Sequence, residues 1–60
     1  MDAKHLPEAI SELGEAVRIS PGYLEAQENL ALALRQAGRV AEAEIHSRIA
    51  GSLRAGAPGH

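Results

Sequence analysis

Leu6-Pro7-Glu8-Ala9 is answered 34 residues later by Val40-Ala41-Glu42-Ala43. At the same offset Ala16 answers Ala50, and Ile19 answers Leu53. A repeat of this length marks stacked helical pairs, in which each unit buries its apolar face against the next. Such architectures bind other proteins far more often than they catalyse reactions.

Three helices follow from the residues between and around these copies. Pro7 suits a helix start, where no backbone donor is needed. Leu6, Ile10, Leu13 and Val17 then recur at helical spacing, with Ala9 and Ala16 beside them as close-contact positions. Glu8 near the start and Arg18 near the end complement the helix dipole. Ser20-Pro21-Gly22 breaks the pattern as a turn. A second helix is expected from about Tyr23 to Ala37. Its run Leu30-Ala31-Leu32-Ala33-Leu34 alternates like a strand, but Glu25, Ala26, Gln27, Glu28, Arg35 and Gln36 around it are strong helix formers. A helix apolar on most sides belongs between neighbours, so this one is placed in the middle. Gly38 is its C-terminal cap. The third helix is predicted over Val40 to Arg54, with Ile45, Ile49 and Leu53 as its main stripe and Ala43 and Ala50 as close-contact sites. Glu44 and Arg48 stand four apart in the favourable order for an ion pair. Residues 1–5 are read as a flank, 6–54 as the structured unit and 55–60 as a flexible tail.

The 60-residue chain allows one small domain, and such a chain buries only about 60% of its unfolded surface. Thirteen leucine, isoleucine and valine side chains are the candidate core. There is no cysteine, so no disulfide or thiolate metal site supports the fold. Tyr23 is the sole aromatic residue, which favours close-packed helices over sheets. The net charge is −2 with the basic residues scattered, so nothing points to nucleic acid. No apolar run reaches membrane-spanning length, and Met1-Asp2-Ala3-Lys4-His5 lacks the sections of a signal peptide. A cytoplasmic location is the default expectation.

The order of these residues resembles the tetratricopeptide repeat, a unit of 34 residues folded as antiparallel helices A and B. Glu8-Ala9, Ala16 and Pro21 fit one B helix, and Glu42-Ala43 with Ala50 fit the next. Leu30-Ala31 and Gly38 fit the A helix and its turn. The resemblance covers about residues 6 to 54 and implies an all-α fold of three antiparallel helices in the order B-A-B, a fragment of an α-solenoid. Gln27 and Leu34 stand where the family often places large aromatics. Leu13 and Val17 are answered by Ser47 and Gly51, a loss of bulk on the side that would pack against a following repeat. The first B helix lacks an A helix of its own, so the stripe Leu6, Ile10, Leu13 and Val17 is the candidate self-association face.

In the resembled family the A helices line a concave groove that binds peptides. Carried over by position, that face is Glu25, Glu28, Asn29, Leu32, Arg35 and Gln36. Asn29 offers both a donor and an acceptor to a ligand backbone, and Arg35 suits a carboxylate. His46 lies four residues after Glu42, but two ligands are too few for a tight metal site, so no metal or cofactor is expected. The serines (Ser11, Ser20, Ser47 and Ser52) lack a nucleophile context, and Glu8, Glu12 and Glu15 read as a solvated face. The expected function is therefore a non-catalytic protein–protein interaction module that binds a peptide or helix through the helix-A groove or an open helical end. The alternatives are a self-assembly element forming a homodimer or stacked oligomer and, more remotely, an accessory segment of a larger enzyme.

Overall fold

A computed structural model describes residues 5–56 as three α-helices, with no strand among them. Helix α1 spans Leu6–Ile19, α2 spans Leu24–Gln36 and α3 spans Val40–Arg54. Helix α1 begins one residue before Pro7, and α2 is one residue shorter at each end than the sequence pattern implied. The flank at residues 1–4 and the tail at 57–60 lie outside the described residues.

Backbone geometry explains where α2 stops. Gly38 sits at φ 83°, the left-handed region that side-chain-bearing residues avoid. Its N–H donates to the Arg35 carbonyl at 3.0 Å, and the Arg39 N–H donates to the Leu34 carbonyl at 2.8 Å. These paired bonds close the helix end as a Schellman motif. Gly56 after α3 is likewise left-handed, at φ 69°, with its N–H on the Leu53 carbonyl at 3.0 Å. The chain expected to loosen from residue 55 onward thus first completes a helix cap.

Helix α2 packs against both α1 and α3. Its buried residues are Ala26, Gln27, Leu30, Ala31, Ala33 and Leu34, which share about half of the helix circumference. On α3 the buried residues are Ala43 and Ala50. Among the described residues, five of the eight buried apolar ones are alanines, and no large side chain is wholly enclosed. Helices meeting through alanine approach near the short end of the usual range, about 8 Å between axes. The core is therefore held by close backbone approach around Leu30, Leu34 and Ala43, with Ile10, Leu13 and Val17 packed onto that cluster.

Two expectations about apolar stripes are corrected. The thirteen large aliphatics do not all enter the core: only Leu6, Leu30 and Leu34 are buried, and Ile10, Leu13 and Val17 are half-buried against it. On α3 the buried and half-buried line is Ala43, His46, Ala50 and Leu53, while Ile45 is 53% and Ile49 36% exposed. Ile45 and Ile49 lie well over a quarter turn around the helix from the alanines, and α2 cannot reach both lines.

The 34-residue copies use different faces. Helix α1 meets the core through Ile10, Leu13 and Val17, with Leu6 of the same stripe buried. The corresponding residues of α3, Val40, Glu44, Ser47 and Gly51, are all exposed. Conversely, the counterparts of Ala43, His46, Ala50 and Leu53 are Ala9, Glu12, Ala16 and Ile19, and Ile19 is 67% exposed. A helix in this stack has one face for the partner before it and another for the partner after it.

Two stability changes follow. A Cβ at Gly51 would meet no atom within 4 Å, so Gly51→Ala should stabilise by about 0.5–1 kcal/mol through helix propensity alone. Ala43 is wholly buried, so Ala43→Leu should overpack the α2–α3 contact and cost about 1–3 kcal/mol. Thermal melts followed by circular dichroism check both signs.

Candidate functional site

The open face of α2 carries Glu25, Asn29, Leu32, Arg35 and Gln36, all exposed. They fall together because the opposite arc is taken up by α1 and α3. Glu28 differs from the rest of the expected groove set. It is half-buried at the edge facing α3, where its carboxylate pairs with Arg54. Both partners remain partly solvated, so this interhelix pair contributes about 0.2–1 kcal/mol.

Between α2 and α3 lies an open cleft of about 310 Å³. Helix α2 lines it with Glu28, Ala31, Leu32 and Arg35, and α3 with Ser47, Ala50 and Arg54. Ala31 and Ala50 are buried and form the floor. Leu32, half-exposed, is an apolar lip. Arg35 has no ion-pair partner among the described residues, whereas Arg54 is engaged by Glu28. The cleft therefore combines room for a bulky apolar group with one uncommitted guanidinium, a donor fork matched to carboxylates.

Three of the six residues expected in a groove, Glu28, Leu32 and Arg35, line this cleft; Glu25, Asn29 and Gln36 lie along the exposed face outside it. The α3 wall was missed as part of a site, although the replacement of Leu13 by Ser47 at the repeat offset signals the missing volume. The stripe Leu6, Ile10, Leu13 and Val17 is turned onto α2, with Leu6 buried and the other three half-buried. Most of its area is therefore spent inside the chain.

A polar seam runs behind the cleft. Gln27 is only 2% exposed and occupies a core position. Its Nε2 donates to the Pro21 carbonyl at 2.8 Å, and its Oε1 stands 2.7 Å from His46 Nδ1. The Pro21 carbonyl only accepts, so the amide nitrogen must face it and the amide oxygen must face His46. His46 then carries its proton on Nδ1. This seam ties the α1–α2 turn, α2 and α3 together, and no buried side-chain polar atom among the described residues lacks a partner.

Arg39 grips Glu42 through two parallel bonds, Nε to Oε1 at 2.6 Å and Nη2 to Oε2 at 2.9 Å. This bidentate contact, aided by the Arg39 charge and more weakly by His46, holds the Glu42 carboxyl below its ordinary pKa. Glu42 and His46 are thus committed to Arg39 and Gln27. Among the described residues no group of three or more histidine, cysteine, aspartate or glutamate side chains is placed to hold a metal ion. Arg18 likewise pairs with Glu15 on the exposed side of α1. Glu44 and Arg48, although four apart, form no ion pair.

Helical hairpins stacked at a 34-residue period, with a groove beside an A-type helix, define a helical-repeat protein. A family model described as tetratricopeptide repeat matches residues 1–45, and the chain belongs to the tetratricopeptide repeat family. Comparison with curated proteins found no match, and neither did comparison with solved structures. Repeats of this family generally serve as non-catalytic protein–protein interaction modules. Among the described residues no helix is long and apolar enough to cross a membrane.

Gln27→Ala should cost about 1–2 kcal/mol, because it strips a partner from His46 and from the turn; a denaturant melt measures it. Glu42 has a depressed folded-state pKa, so its contribution is present above the unfolded pKa and is lost as pH falls through the folded one. Arg39→Gln should return the Glu42 midpoint upward to the ordinary glutamate range, read by a carboxyl NMR titration.

Proposed function

We propose that the chain binds a partner's helix or peptide in the cleft between α2 and α3, with longer partners continuing along Glu25, Asn29 and Gln36. The observation that carries this reading is the 310 Å³ hollow lined by Leu32, Ser47 and Ala50 with Arg35 at its rim. Where α1 meets α2, Leu13 fills the corresponding level with a leucine side chain. Ser47 leaves that volume empty on α3. A segment that seats here must supply the missing bulk itself, as a leucine or an aromatic side chain. An acidic residue nearby would meet Arg35, whose guanidinium is free to take a carboxylate in bidentate fashion.

The mechanism is passive burial. The apolar side chain displaces water from a preformed hollow, and the arginine fixes register and orientation. Salt weakens the second contribution more than the first.

Ser47→Leu restores at the repeat offset the side chain that α1 carries, and it should close the hollow while leaving the helices intact. In NMR titrations with acidic peptides containing leucine or phenylalanine, the unmodified chain should show shifts at Leu32, Arg35 and Ser47. Ser47→Leu should weaken binding at least about tenfold, equivalent to about 1.4 kcal/mol. Arg35→Ala should weaken it by about three- to tenfold and flatten its salt dependence. Shifts that avoid the cleft, or binding indifferent to Ser47→Leu, would overturn the proposal.

A further inference from the structure

The 34-residue offset exposes a rotation of the apolar face between α1 and α3. Moving from one copy to the other, Ile10 becomes Glu44, Leu13 becomes Ser47 and Val17 becomes Gly51. Over the same interval Ser11 becomes Ile45 and Glu15 becomes Ile49. The bulk has left the face that continues the stack and reappeared about a third of a turn or more around the helix. Ile45 and Ile49 stand one helical turn apart on the far side of α3 from the cleft, 53% and 36% exposed, in line with Ala41. At the equivalent positions α1 is polar, with Ser11 and Glu15.

We infer that this stripe is a self-recognition surface, on which α3 pairs antiparallel with α3 of a second copy. The charges beside the stripe select that occupant. Glu44 and Arg48 share one flank of Ile45 and Ile49, and neither forms an ion pair within the described chain. Their spacing would allow a pair along the helix, so both groups are available to another surface. A two-fold axis near Ser47 sets each copy's Ile45 against the other's Ile49. It also brings each copy's Glu44 beside the other's Arg48, so both signs are satisfied twice by symmetry. The alanine at position 41 lets the helix ends approach closely. The opposite flank carries Glu42, already neutralised by Arg39, and therefore adds no repulsion. The face is a single helix wide, which places the dimer in the weak class that buries less than about 1,200 Å².

The inference concerns a face separate from the cleft, and the experiment keeps the two apart. Analytical ultracentrifugation of the full 60-residue chain from about 20 µM to about 1 mM should show the mass rising from one copy towards two. The double variant Ile45→Glu/Ile49→Glu should stay monomeric throughout with unchanged helicity, because both side chains are solvent-facing. Glu44→Arg alone should weaken association about threefold or more, and Glu44→Arg/Arg48→Glu should restore it. Ser47→Leu, which fills the cleft, should leave the dimer intact. A single-copy mass up to about 1 mM would overturn the inference. So would a dimer that survives loss of both isoleucines, fails to return in the charge-swapped variant, or is abolished by Ser47→Leu.

Discussion

The structure depends on the close approach of α2 to a neighbour on each side. Ala26, Ala31 and Ala33 on α2 and Ala43 and Ala50 on α3 are all buried. Each removes the side-chain bulk that would hold backbones apart, and the dispersion gained is spread over the helix walls. The arrangement also limits the chain. With three short helices, no large side chain is completely surrounded, and six large apolar residues among those described remain substantially exposed. Stability in such a domain is the small difference of opposing terms, so each interhelix contact matters more than it would in a larger protein.

The Gln27 seam is the polar counterpart of that constraint. At a core position of α2 this chain buries an amide and must satisfy both of its ends. Pro21 and His46 do so from two different elements, and the bonds specify how the turn and α3 sit relative to α2. Surface pairs such as Arg18–Glu15 and Arg39–Glu42 join residues of one helix or its entrance and carry little of this positional information.

Each B-type helix presents two faces, and the chain treats them differently at its two ends. Helix α1 spends its stacking face on α2, whereas α3 leaves its stacking face hollow and polar. The cleft and the exposed isoleucine stripe are two results of the same redistribution of bulk on one helix.

The sequence by itself determined the three helices, the glycine that ends α2, the central place of α2 and the repeat kinship, because these rest on local spacing and turn chemistry. Glu28, Leu32 and Arg35 share one face because residues three and four apart lie on one side of a helix, and all three line the cleft. On α3 the sequence pattern named the close-contact alanines, Ala43 and Ala50, but set the main stripe too far round, at Ile45 and Ile49. Ile45, Ile49 and Leu53 form the more hydrophobic line, yet the structure seats Ala43 and Ala50 against α2. Periodicity reports how apolar a line is, not how near a neighbour's backbone can come, and that distance was decided only by assembly of the three helices. For the same reason Ser47, Ala50 and Arg54 become a wall of a cleft only when α3 lies beside α2. The partnership of Gln27 with Pro21 and His46 likewise spans elements whose relative placement no local pattern encodes.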